Sequence, residues 1–120
     1  PPASVAAVIA ALDIIDSEPE RLEALWNNTK KMLDGFKGLG FEVGPTQTPI
    51  IPVIVKESET AFRMAMMLQD MGVFVNVAVS PAVPTGKALV RTSYMSTHTD
   101  SQLDIVLEAF EKIGKELGII

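Results

Sequence analysis

The sequence predicts an α+β fold, a small antiparallel or mixed sheet covered by helices. Three observations carry this. Segments of helical and strand periodicity follow one another as helix, helix, strand, strand, helix, strand, strand, helix. The connections between them are short, which favours antiparallel neighbours over long parallel crossovers. The helical segments beyond residue 17 each carry an apolar stripe, the pattern of helices laid on a sheet.

Residues 3–16, ASVAAVIAALDIID, read as a helix from their alanine content and the spacing of Val5, Val8, Ile9, Leu12 and Ile15. The other faces are mostly alanine and isoleucine, interrupted by Ser4 and Asp13. A helix apolar nearly all round is a buried helix, and one small domain covers only one side of it. It is either a greasy end helix or one whose second face packs on a missing domain or a partner subunit. SEPE at 17–20 has the form of a capping box, with Pro19 tolerated in the first turn. The helix it opens runs to about Lys37 with Leu22, Leu25, Trp26, Leu33 and Phe36 on one stripe, and Gly38 and Gly40 stop it.

FEV at 41–43 and IIPVIV at 50–55 read as strands separated by a loop. Pro52 has no N–H for a ladder, so the second run is an edge strand or carries a bulge. Ser58 is positioned to cap a helix through Met71, ended by Gly72, whose four methionines read as core packing. VFVNVAV at 73–79 and ALVRTSYM at 88–95 are the remaining strands. TDSQ at 99–102 is a second capping box, opening a helix that carries Leu103, Val106, Phe110 and Ile113 on its apolar stripe.

A chain of 120 residues with 15 acidic and 10 basic side chains, net charge −5, and no cluster of Lys and Arg is poorly suited to nucleic acid or an anionic membrane surface. No run approaches the ~18 apolar residues of a membrane helix. The absence of cysteine rules out disulfides and thiolate metal sites and fits a cytoplasmic location. The single histidine, His98, leaves no His-rich metal cluster. The start at Pro1–Pro2, without methionine, is expected of a segment from a longer protein.

The chemistry concentrates in SPAVPTGKALVRTSYMSTHT, residues 80–99. Period two places Leu89, Arg91, Ser93 and Met95 on one strand face and Val90, Thr92 and Tyr94 on the other. A half-buried guanidinium needs an anion, and its planar fork suits a carboxylate held through two hydrogen bonds. On the residues alone, an internal ion pair with one of the acidic side chains is the simpler reading of Arg91. The other is a ligand carboxylate or phosphate supplied from outside. His98, just before the last helix, reads as a capping or packing residue, and Asn76 and Ser80 flank a strand end. Gly86–Lys87 is no phosphate loop, because the glycine-rich run and following helix are missing. No nucleophile with an adjacent base emerges.

The string P-x-V-P-x-G-x-x-L-x-R followed by H-T (Pro81, Val83, Pro84, Gly86, Leu89, Arg91, His98 and Thr99) resembles the carboxyl end of the α-oxoamine synthases. PPASVAA at 1–7, TPIIPV at 48–53 and MLQDMGVFV at 67–75 extend the resemblance along the whole chain, which looks closest to the bacterial serine palmitoyltransferase-like branch. These are fold-type-I enzymes dependent on pyridoxal 5'-phosphate (PLP) that condense an amino acid with an acyl-CoA, with decarboxylation, to an α-aminoketone. The resemblance implies that residues 1–16 are the end of a linking helix and residues 17–120 the small C-terminal domain. It implies that Arg91 grips the substrate carboxylate, with Ser80, Pro81 and Val83 forming a wall of the site, and that the parent is a homodimer. The family's Schiff-base lysine lies upstream, so none of the seven lysines here fills that role, and no bound cofactor and no catalytic residue are expected in this chain. An aminotransferase small domain and a non-catalytic ligand-binding or interaction module are the rival readings.

Overall fold

The computed structural model describes residues 1–120. Its sheet has three strands, β1 (Ile50–Lys56), β2 (Asn76–Ala78) and β3 (Ala88–Ser93), in the order β1-β3-β2 with both pairings antiparallel. Burial alternates along them. Ile51, Val53 and Val55 of β1 and Ala88, Val90 and Thr92 of β3 are buried, whereas Ile50, Arg91 and Ser93 are exposed. One face therefore lies on the core and the other is open. The helices α2 (Pro19–Leu39), α3 (Ser58–Asp70) and α4 (Asp100–Glu116) cover the first face, with α3 against all three strands and α4 packed on α2 and α3. The α+β class follows directly from this arrangement.

Pro52 sits where its missing N–H costs nothing. β1 is an edge strand, and the Pro52 carbonyl and Ile54 amide point outward to Gly44 and Glu42 (3.4 and 2.8 Å) rather than toward β3. The predicted 41–43 strand reduces to this edge contact, with one bridge between Val43 and Val53. A bulge between Ile54 and Lys56 ends the register with β3. The 73–79 strand shortens to Asn76–Ala78, because residues 73–75 leave the ladder.

The core centres on three rings. Phe36 of α2 lies 4.8 Å from Phe110 of α4 and 6.0 Å from Phe41, and Phe41 lies 5.8 Å from Phe110. Such tilted and edge-on contacts favour aromatic pairs beyond their burial. Met32, Met64 and Leu68 close the cluster; of the four α3-region methionines expected in the core, those at 64 and 67 pack inward, whereas Met66 and Met71 are exposed. Lys31 of α2 joins Asp104 and Asp100 of α4 at 2.7 and 2.9 Å, and these partners, Asp104 first, raise its pKa above 10.5.

Two caps differ from expectation. Ser17 does not cap α2. Its hydroxyl donates to the Asp13 carbonyl (2.7 Å) and it remains the last residue of α1 (Pro2–Ser17). Pro19 disfavours helical backbone at the residue before it, so the break falls at Glu18, with φ −124° and ψ 64°. Ser58 likewise lies inside α3, whose N-cap is Glu57. Thr99 does form its capping box, accepting from Gln102 N–H at 3.3 Å while the Gln102 side chain accepts from Thr99 N–H at 2.9 Å. α1 touches only α2 and buries none of its residues; Val8 is 60% and Ile15 63% exposed.

Candidate functional site

Arg91 occupies the central strand and is held by ladders on both sides. Its partners are Pro52 of β1 and Asn76 of β2. Residues directly opposed in antiparallel pairs project from the same face, so Pro52, Arg91 and Asn76 form a row across the open side of the sheet. Because the Pro52 carbonyl points away from β3, Pro52 and Arg91 are a non-hydrogen-bonded pair, the closer kind. The Arg91 amide and carbonyl are then turned toward Asn76.

The expected internal ion pair is not formed. Arg91 is exposed and joins none of the chain's salt bridges. The strand alternates with the predicted period of two, but the buried face is the one bearing Val90, Thr92 and Tyr94. A guanidinium facing water loses no hydration and needs no acidic partner. None is offered, since the same face contributes Ile50, Ile54, Leu89 and Ser93 around it.

Ser80, Pro81 and Val83 lie in the turn that joins β2 to β3, not beside Arg91. The Ser80–Pro81 peptide is cis. Ala82 and Val83 N–H donate to the Val79 carbonyl at 2.9 and 3.3 Å, and Lys87 N–H donates to Pro84 at 3.0 Å. Gly86, at φ +77°, takes the left-handed position of that last turn, which a side chain would strain. Ala78 pairs with Leu89 and Asn76 with Arg91, so the turn and the arginine are at opposite ends of the β2–β3 ladder. Ser80 and Pro81 are exposed and Val83 half-buried.

A groove of about 520 Å³ opens where residues 72–75 diverge from the end of β3 and meet the start of α4. Its walls are largely apolar, with Phe74, Met95 and Ile105 exposed along it. Sequence reasoning missed it because it is assembled from three segments far apart in the chain. Its polar atoms are mostly committed to one another. Tyr94 donates to Thr92 Oγ1 (2.7 Å), which donates to the Ile51 carbonyl (3.0 Å), and burial pushes the Tyr94 phenol well above its usual range. His98 Nδ1 accepts from Met95 N–H at 3.2 Å, and its ring packs edge-on against Tyr94. His98 is thus a packing and turn residue. The turn itself is pinned by Asn28 of α2, whose Nδ2 donates to the carbonyls of Met95 and His98, both at 3.0 Å. The groove thus presents a largely apolar lining and no acid–base pair.

The side chains present do not assemble a PLP cradle. No lysine lines the groove. A Schiff-base lysine is activated by a lowered pKa, whereas Lys31 is shifted upward and the other six lysines are exposed. No group of three or more His, Asp or Glu side chains is placed to hold a metal, and no helix is long and apolar enough to cross a membrane.

Residues 1–110 match the family model described as aminotransferase class I and II, and the chain belongs to that family. Its relatives include the serine palmitoyltransferase of Sphingobacterium spiritivorum, 45% identical over 98% of this chain and 30% of the relative. The 8-amino-7-oxononanoate synthase of Symbiobacterium thermophilum is 43% identical over 100% of this chain and 31% of the relative. The fold matches a lysine-to-alanine variant of serine palmitoyltransferase from S. paucimobilis, solved with a bound PLP–myriocin aldimine. The TM-score is 0.92 at 35% identity, over 100% of this chain and 31% of that one. The chain therefore spans about 30% of the length of the curated relatives it matches.

Proposed function

We propose that this chain is the C-terminal substrate-binding domain of a PLP-dependent α-oxoamine synthase, of the serine palmitoyltransferase-like branch. The parent joins a small amino acid (serine, glycine or alanine) to an acyl-CoA, releasing carbon dioxide and coenzyme A and forming an α-aminoketone. The observation that carries this is an arginine on the central strand, exposed on the open sheet face and without an acidic partner in its own chain. Its role is to bind the amino-acid carboxylate and so orient the bonds at Cα, which is catalysis by positioning. The turn at 80–83 forms a more distant wall of the site. PLP is held by residues of the parent outside this chain, in a cytoplasmic homodimer. The names of the relatives support the reaction class, and the exposed α1 supports an assignment of residues 1–16 to packing on the rest of the parent.

In the intact enzyme, Arg91→Ala removes charge-assisted hydrogen bonds of about 1.5–3 kcal/mol. The expected result is a fall of about ten- to 150-fold in kcat/KM for the amino acid, with KM for the acyl-CoA little changed. Equal losses for both substrates would contradict the carboxylate role. An aminotransferase is the second reading, favoured by the description of the matching family model. Formation of an amino acid from a 2-oxo acid, with no condensation when acyl-CoA is supplied, would decide for it.

A further inference from the structure

The row across the open face is chemically lopsided. On the β1 side of Arg91 stands Pro52, which has no donor at all. On the β2 side stands Asn76, exposed and directly opposite Arg91, with a side-chain amide that no hydrogen bond of this chain occupies. Opposed pairs of this kind hold their Cβ atoms about 5 Å apart. The two side chains project side by side from the same face, and the longer, flexible arginine stem can bend to bring its fork level with the asparagine amide. A carboxylate docked on that fork keeps lone pairs to spare, and within the row only Asn76 has donors to meet them. We infer that Asn76 is a second substrate-binding residue, donating its Nδ2–H to the same carboxylate that Arg91 holds and drawing it toward β2. This rests on the carboxylate reading of Arg91. It adds a geometric consequence, because a single guanidinium leaves its ligand free to pivot and a third donor to one side stops the pivot.

The residue type makes the inference sharply testable. Asn76→Asp keeps the shape of the side chain but exchanges its donor for an anion beside Arg91. That anion pairs with the guanidinium and competes with the substrate carboxylate. Asn76→Ala merely deletes the donor, and Asn76→Gln retains an amide. In the intact enzyme, kcat/KM for the amino acid should fall about three- to tenfold in Asn76→Ala and at least about tenfold further in Asn76→Asp. Asn76→Gln should recover part of the loss relative to Asn76→Ala, and KM for the acyl-CoA should stay constant throughout. The extra loss in Asn76→Asp should vanish when Arg91 is alanine, since the competing pair no longer exists.

If Asn76→Asp is no worse than Asn76→Ala, or its extra loss persists without Arg91, the assignment of Asn76 is overturned while that of Arg91 stands. If Arg91→Ala impairs both substrates equally, the carboxylate reading itself has failed. Unfolding midpoints of the Asn76 variants should match the wild type, because the side chain is exposed; a common drop in all three would mark a structural role and overturn the inference.

Discussion

Replacing Gly114 with alanine tests how tightly the aromatic core is closed. Gly114 is buried in α4, and a Cβ built there would stand 2.6 Å from Phe41 Cζ, 3.0 Å from Phe41 Cε1 and 3.0 Å from Ile120 Cγ1. Carbon atoms not bonded to each other rest at about 3.5–4.0 Å, so the Phe41 ring must retreat by about 1 Å. It has little room, because Phe36 and Phe110 flank it edge-on. Overpacking of this kind costs about 1–3 kcal/mol, and the gain in helix propensity returns up to about 1 kcal/mol. The net expectation is a loss of about 0.5–2 kcal/mol in urea unfolding followed by circular dichroism. Two other glycines calibrate the experiment. At Gly38 a Cβ meets nothing within 4 Å, so Gly38→Ala should stabilise by about 0.5–1 kcal/mol. At Gly35 it meets only the Leu107 side chain, both Cδ atoms at 2.7 Å and Cγ at 3.3 Å, which is flexible enough to rotate away, so the change should lie between the other two. If Gly114→Ala matched Gly38→Ala, the closed packing of the three rings would be refuted.

Two further predictions concern the groove wall. Burial raises the Tyr94 phenol pKa above its ordinary value of 10.0, so the folded state keeps a proton that the unfolded chain releases. Stability contributed through this group is complete below pH 10 and declines as the pH rises above it. Tyr94→Phe should flatten that decline and cost about 1 kcal/mol at neutral pH; an unchanged alkaline profile would show that Tyr94 does not govern it. Asn28→Ala removes both bonds that pin the turn at 95–98 and should cost about 1–2 kcal/mol. Its signature is faster amide exchange at 95–98 with β3 unaffected, and uniform acceleration across both would argue against a local tether.

The parts of the fold legible in sequence were those set by local chemistry. The Thr99–Gln102 box, the stripe of α4, the stop of α2 at Gly40 and the edge position of Pro52 all depend on neighbouring residues and match the sequence pattern, whereas Gly38, expected to share in that stop, lies inside α2. Ser17 failed as a cap because two local rules competed at one point. Pro19 moved the break to Glu18, and the hydroxyl bonded backward to Asp13 instead. The strand alternation around Arg91 was legible, but the identity of the buried face was not. Leu89 and Met95 on one side look as apolar as Val90 and Tyr94 on the other, and only the placement of the covering helices, α3 foremost, decides between them. The opposition of Asn76 and Arg91 is a matter of register between strands separated by a nine-residue turn, which no single segment announces. The groove is non-local for the same reason.

The open face has a consequence for binding strength. An ion pair formed on an exposed guanidinium gives only about 0–1 kcal/mol, because water screens the attraction and the long side chain must be stilled. A bare carboxylate meeting Arg91 in this chain alone would therefore dissociate almost as soon as it arrived. The same fork under a cover that excludes water acts in a lower dielectric, where the attraction is several times stronger. The sheet thus supplies the position of the charge, and whatever lies across the sheet sets its force. On the proposed carboxylate role of Arg91, capture of the ligand and exclusion of water from the open face are coupled.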